Sequence, residues 1–73
     1  MVKVYSKSKC VQCNATYRKL DSLGIKYEVF NLEENPEALA HMKELGFLQA
    51  PVVIPPTGEP WTGYRPDKIE SLA

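Results

Sequence analysis

Residues 2–13, Val-Lys-Val-Tyr-Ser-Lys-Ser-Lys-Cys-Val-Gln-Cys, join a strand-like run to two cysteines that are separated by two residues. After a short polar loop, Cys10 stands where a helix begins and Cys13 follows one turn later. A helix N-terminus presents unpaired amide groups and the positive end of the helix dipole, which stabilise a thiolate. Lys7 and Lys9 add positive charge that tunes the pKa of this thiol. The arrangement predicts reversible thiol–disulfide exchange.

The cysteine pair has other conceivable uses. A closed structural zinc site requires four ligands, whereas the chain offers Cys10, Cys13 and His41. A structural disulfide over so short a loop would constrain little of the unfolded chain. A non-catalytic module in which the pair bridges a metal or cluster between two copies remains an alternative. We therefore predict a redox pair and no metal site within one chain.

The composition is that of one small globular domain over residues 1–73, with 44% hydrophobic and 25% charged residues. Nine basic and nine acidic side chains cancel, so charge favours neither nucleic acid nor an anionic membrane as a partner. The N-terminus lacks a secretory pattern, and no apolar stretch has the length of a membrane span. A dithiol in this setting indicates the reducing cytoplasm, and we expect a monomer.

Apolar spacing predicts a helix after the dithiol and then a strand. The inner face of the helix follows three- and four-residue spacing: Cys13, Thr16, Leu20 and Leu23. Gly24 is placed to end it. The next strand runs to about Leu32 and alternates its apolar residues: Ile25, Tyr27 and Val29.

The rest of the chain predicts a second helix, two strands and a last short helix. Asn35 and Pro36 open the second helix, and its inner face is read as Ala38, Met42 and Leu45. Residues 50–54 form an apolar strand, and residues 59–62 return as a short edge strand because Pro60 lacks an N–H. The last helix follows with Ile69 and Leu72 facing inward. The predicted fold is α/β, in the order β-α-β-α-β-β-α, with a four-stranded mixed sheet, three helices and two right-handed strand–helix–strand crossovers.

With this order, the chain resembles the thioredoxin superfamily in its small glutaredoxin-like form. Three motifs resemble the NrdH-redoxins: Cys10-Val11-Gln12-Cys13, Ala50-Pro51-Val52-Val53, and Trp61-Thr62-Gly63-Tyr64-Arg65-Pro66-Asp67. In the last motif Thr62 stands for the family's Ser, and Tyr64 for its Phe. The resemblance implies a protein that takes electrons from NADPH-dependent thioredoxin reductase and donates them to class Ib ribonucleotide reductase, through its large subunit. It implies no bound cofactor, because NADPH and FAD belong to the reductase.

The resemblance also implies roles for single residues. Cys10 would be the exposed attacking thiolate and Cys13 the buried resolving thiol. The Ala50–Pro51 bond would be cis, so that Ala50 offers its main chain to an extended partner. The partner-binding surface would then comprise Val11, Gln12, Ala50, Pro51, Trp61, Thr62, Gly63, Tyr64 and Arg65.

The segment 61–67 separates this reading from the alternative of a glutathione-dependent glutaredoxin. Glutaredoxins hold glutathione here with a Gly-Gly and acidic pattern. This chain keeps Gly63 and Asp67 but inserts three residues between them: Tyr64, Arg65 and Pro66. An exposed Trp61 would suit docking on a protein partner. Alternatively, Trp61 and Tyr64 fill the core, and Arg65 ties its loop to residues 48–50.

Overall fold

The elements follow the order β-α-β-α-β-β-α in the computed structural model, which describes residues 1–47 and 49–73. Within these residues the strands are β1 (Val2–Ser6), β2 (Tyr27–Asn31), β3 (Val52–Ile54) and β4 (Trp61–Thr62). The helices are α1 (Val11–Ser22), α2 (Pro36–Glu44) and α3 (Pro66–Glu70). The thioredoxin-like α/β fold expected from the sequence is confirmed.

The described strands form one mixed sheet in the order β2-β1-β3-β4. β1 pairs in parallel with β2, placing Val4 beside Val29, and antiparallel with β3, placing Val4 beside Val53. β4 pairs antiparallel with β3, so Trp61 lies beside Val53 at the second edge. Only β1–α1–β2 is therefore a parallel crossover. The second strand–helix–strand connection, β2–α2–β3, joins strands of opposite direction, because β3 lies on the far side of β1 and runs antiparallel to it.

Local signals set the helix ends as the sequence indicates. Cys10 is the N-cap of α1, and Gly24 follows the helix with φ +68°, a conformation that favours glycine. Asn35 occupies the N-cap position of α2 and Pro36 its first turn, although the Asn35 side chain makes no capping hydrogen bond. Its amide instead donates to the carbonyl of Asn31 at 3.0 Å.

The described residues form two apolar clusters, one on each face of the sheet. One contains Val2, Val4, Leu20, Val53, Trp61 and Ile69; the other contains Leu32, Met42 and Val52. Because neighbouring strand residues point to opposite faces, Val52 and Val53 enter different clusters. α1 and α3 thus pack on one face and α2 on the other. None of these described helices is long and apolar enough to cross a bilayer.

Three residues expected on inner faces are instead exposed. Val29 is 49% exposed because β2 forms the sheet edge and is incompletely covered. Leu45 is also 49% exposed, since it lies beyond the last turn of α2, where Met42 holds the inner position. Leu23 is 36% exposed at the C-cap of α1. Helical and strand periodicity identified the inward faces. It did not predict which residues on those faces lack a packing neighbour and stay exposed to solvent.

Candidate active site

The cysteine pair lies at the N-terminus of α1, as the sequence predicts. Cys10 has an extended backbone, with φ −106° and ψ 104°, and its Sγ accepts a hydrogen bond from the Cys13 N–H at 3.1 Å. The two cysteines form a disulfide, with their Cα atoms 5.2 Å apart. The amide that caps the Cys10 sulfur here is also placed to stabilise its thiolate after reduction.

Cys10 is less accessible in this disulfide form than expected. It is 9% exposed and Cys13 is 2% exposed, so the expectation of an exposed Cys10 was wrong for the oxidised protein. The cause is the N-cap geometry, which turns Sγ of Cys10 back onto the end of the helix and joins it to Cys13. The order of accessibility, with Cys10 the outer thiol, agrees with the roles inferred from the sequence.

A groove of about 370 Å³ opens beside the outer cysteine. It is lined by Lys7, Lys9, Cys10, Val11, Gln12, Gln49 and Ala50. Both lysines are exposed, and Lys9 has a left-handed backbone with φ +57°. The groove therefore brings both predicted basic residues to the reactive cysteine, while their effect on its pKa stays a prediction.

The loop before β3 forms one wall of this site. The Ala50–Pro51 peptide bond is cis, as the resemblance implies. Pro51 is buried, and its carbonyl accepts a hydrogen bond from the Gly63 N–H at 2.9 Å. Ala50 is partly exposed on the groove.

The segment 61–67 is tied to both other parts of the site. The Thr62 hydroxyl donates to the Gln49 carbonyl at 2.6 Å, and the Tyr64 N–H donates to Oε1 of Gln12 at 3.1 Å. The Gln12 contact joins residues 52 positions apart. Sequence reasoning placed Gln12 on a partner surface and missed its internal bond. The sequence offered one signal, the glycine at position 63, which in the structure has φ +83°.

Trp61 is a core residue and not an exposed docking aromatic. It is 7% exposed and belongs to the cluster with Val4, Val53 and Ile69. The expectation of exposure was wrong, because pairing with Val53 directs the indole toward α1 and α3. Its Nε1 is buried without a hydrogen-bond partner among the described residues. Tyr64 differs: it is 36% exposed, so the alternative of two core aromatics holds for Trp61 alone.

Arg65 is engaged by Asp67. Its Nε donates to Oδ1 at 3.3 Å and its Nη2 to Oδ2 at 3.1 Å. These hydrogen bonds from Arg65 lower the pKa of Asp67 below its usual value. The sequence predicted hydrogen bonds from Arg65 to residues 48–50, and of these Leu48 lies outside the described residues. The hydrogen bond to the Gln49 carbonyl is made by the Thr62 hydroxyl.

Residues 1–47 and 49–73 contain no group of three or more His, Cys, Asp or Glu side chains arranged to hold a metal ion. The groove itself holds the sulfur pair, with a capped outer sulfur, an inner sulfur one turn away and two nearby lysines.

Comparison with known proteins points to the same chemistry. The glutaredoxin family model matches residues 2–55. The chain is 40% identical to the glutaredoxin-like protein NrdH of Escherichia coli strain K12, over 97% of this chain and 86% of that protein. It is 37% identical to the NrdH protein of Lactococcus lactis subsp. lactis strain IL1403, over the whole of both chains.

Solved structures agree. The NrdH-redoxin from Escherichia coli superposes with a TM-score of 0.95 at 39% identity, covering 99% of this chain and 93% of that one. A glutaredoxin from Archaeoglobus fulgidus gives a TM-score of 0.76 at 25% identity, covering 97% and 83%. The chain belongs to the glutaredoxin family, among its NrdH-redoxins, and is a thiol–disulfide oxidoreductase.

Proposed function

We propose that this protein is a dithiol electron carrier between thioredoxin reductase and class Ib ribonucleotide reductase. NADPH reduces the flavin of the reductase, and the reductase reduces the Cys10–Cys13 disulfide. The reduced carrier then donates two electrons to the large subunit of ribonucleotide reductase. It works as a monomer, with residues 1–73 as its single domain, in the cytoplasm, where the reducing environment maintains such dithiols.

The exchange follows from the unequal placement of the two sulfurs. The thiolate of Cys10 attacks a disulfide sulfur of the acceptor and forms a mixed disulfide, releasing one acceptor thiol. Cys13 then attacks Cys10, which releases the second acceptor thiol and regenerates the Cys10–Cys13 disulfide. The greater exposure of Cys10, 9% against 2%, and its position as N-cap support this division of roles.

The observation that carries the proposal is that polar groups of the segment 61–67 bond to other groups of the protein itself. The N–H of Gly63 is bonded to the Pro51 carbonyl, and the N–H of Tyr64 to the Gln12 side chain. The Asp67 carboxylate is paired with Arg65. These groups are not free to hold the small peptide glutathione, which favours a protein as the electron source.

The surface around the dithiol suits a protein partner. Val11 is 78% exposed directly beside Cys10, and Tyr64 is 36% exposed, so apolar contacts are available where Trp61 supplies none. A mostly apolar cavity of about 280 Å³ adjoins the groove and shares Lys7, Gln49 and Ala50 with it. The NrdH-redoxin of Escherichia coli is described as having a thioredoxin-like activity profile, which supports the same assignment here.

Two coupled assays test the electron source. In one, NADPH and thioredoxin reductase reduce the carrier; in the other, NADPH, glutathione and glutathione reductase do so. A disulfide substrate such as insulin or the ribonucleotide reductase itself consumes the electrons. We expect turnover with thioredoxin reductase and negligible turnover with glutathione. Comparable turnover with glutathione would assign the protein as a glutathione-dependent glutaredoxin instead.

A trapping experiment tests the acceptor. Cys13→Ser removes the resolving thiol, so the mixed disulfide formed by Cys10 persists. Incubation with the oxidised large subunit should give a covalent adduct that dithiothreitol cleaves, whereas Cys10→Ser, the matched control, should give none. If Cys13→Ser reacts with a small disulfide but forms no adduct with the large subunit, that subunit is not the acceptor.

A further inference from the structure

Gln12 lies between the two cysteines in the sequence, and its carboxamide reaches the segment 61–67. Its Oε1 accepts the Tyr64 N–H at 3.1 Å and lies 3.2 Å from the position that a Cβ on Gly63 would take. The side chain therefore fills the space beside Gly63 as well as using the neighbouring donor. It is the only side chain that bonds the dithiol turn to the segment 61–67 within the described residues.

The surroundings would otherwise attract an anion. Lys7 and Lys9 line the same groove as Gln12, and both are exposed. Successive backbone N–H groups in turn conformations bind anions when they are free. Here the Gly63 N–H is held by a backbone carbonyl, but the Tyr64 N–H is held by a side chain that a single substitution removes.

We propose that Gln12 is a specificity-determining residue, which keeps small carboxylate-bearing thiols such as glutathione from using the dithiol as a substrate. It does so by occupying the Tyr64 N–H and the space beside Gly63. This inference rests on the proposed function, in which a protein and not glutathione reduces the carrier. Gln12 acts on binding and not on the sulfur chemistry, because within the described residues its side chain hydrogen-bonds to the Tyr64 N–H and to neither sulfur.

The reaction that Gln12 suppresses is a balanced exchange. One glutathione thiolate attacks Sγ of Cys10, and Cys13 leaves as a thiolate that takes up a proton. A second glutathione thiolate attacks the glutathione sulfur of the mixed disulfide, which releases Cys10 as a thiol and forms oxidised glutathione. Glutathione reductase returns that product to two glutathione molecules at the expense of one NADPH and one proton.

Three variants separate binding from folding. Gln12→Ala removes the acceptor and opens the space, and alanine favours the helix. The hydrogen bond from the Thr16 hydroxyl to the Gln12 carbonyl, 2.9 Å long, is made to the backbone and is retained. Gln12→Glu keeps an acceptor oxygen and most of the volume but adds a negative charge. Arg18→Ala, an exposed change on the same helix, is the matched control.

We expect Gln12→Ala to raise the rate with glutathione about ten-fold or more, because a freed donor to a carboxylate contributes a charged hydrogen bond. The gain should appear as a lower KM for glutathione. Reduction by the uncharged thiol 2-mercaptoethanol should be unchanged. Gln12→Glu and Arg18→Ala should show no increase in the rate with glutathione. Amide hydrogen exchange should be faster at Tyr64 in Gln12→Ala alone.

Each alternative outcome is decisive. Unchanged exchange at Tyr64 in Gln12→Ala would show that the bond is not formed in solution. Faster exchange without a gain for glutathione would refute the role in specificity, and an equal gain for 2-mercaptoethanol would mean that access and not anion binding had changed. Failure of the proposed function is distinguishable, since it would appear as glutathione turnover by the unsubstituted protein.

Discussion

Substitution of Trp61 tests whether this residue stabilises the core or contacts a partner protein. The indole is 7% exposed and packs in the cluster that α1 and α3 build over the sheet, so we expect it to stabilise the fold and not to contact the reductase. Its Nε1 is a buried donor without a partner among the described residues. Trp61→Ala and Trp61→Phe should therefore behave very differently.

The two substitutions differ in what they remove. Truncation of a buried Trp to Ala costs about 3–5 kcal/mol, since it leaves a large cavity. A chain of 73 residues has a total stability of roughly 4–11 kcal/mol, so Trp61→Ala should lie close to unfolding. Trp61→Phe loses apolar area worth about 1 kcal/mol but also removes an unpaired buried donor, whose burial costs about 1–3 kcal/mol. The phenylalanine variant should remain within about 1–2 kcal/mol of the parent protein.

Thermal and urea unfolding of the oxidised proteins, followed by far-UV circular dichroism, measures both effects. For a domain of this size 1 kcal/mol corresponds to about 4–8 °C in Tm, so Trp61→Ala should lower Tm by about 12 °C or more. The KM of Trp61→Phe for thioredoxin reductase should match that of the parent protein. A Trp61→Ala variant of normal Tm with a raised KM would refute the core role and restore Trp61 as a docking residue.

Three further predictions concern the site and its supports. In the reduced protein at neutral pH, iodoacetamide should label Cys10 before Cys13, and peptide mapping that found the reverse order would overturn their roles. Lys9→Gly should raise stability by up to about 1 kcal/mol, because the left-handed backbone at φ +57° suits glycine, and Lys9→Val should lower it; equal urea midpoints would contradict this. Arg65→Ala should raise the pKa of Asp67, measured by carboxyl NMR titration. Since the folded-state pKa of Asp67 is lowered, its stabilising contribution is complete at neutral pH and is lost as the pH falls through that pKa, so Arg65→Ala should lose less stability on acidification.

The helix that carries the dithiol, and the ends of the other elements, could be predicted because the signals that set them are local. An N-cap position, a first-turn proline and a glycine after a helix each act through backbone groups within one or two turns. The positions of Cys10, Pro36 and Gly24 follow from such signals and are confirmed. Pro60 likewise indicates an edge strand, since it cannot donate to a neighbour, and β4 forms the sheet edge.

Exposure and long-range pairing could not be predicted in this way. Periodicity marked Val29 as inward-facing. Val29 is nevertheless exposed, because β2 is the edge strand of the sheet. Likewise the burial of Trp61 depends on its register with Val53, a partner in another strand. The motif 61–67 indicated a surface feature without indicating which of its side chains enter the core.

The amino-acid sequence by itself determined the order of elements, the helix-capping cysteine pair and the chemistry that this pair performs, because these rest on contacts between residues near in the chain. Only the tertiary structure decided that Gln12 meets Tyr64, 52 positions away, and that Trp61 supports the core beneath the site. The physical reason is that a hydrogen bond or a buried surface between distant segments exists only once the sheet order has brought them together, and no local preference of either residue encodes that approach.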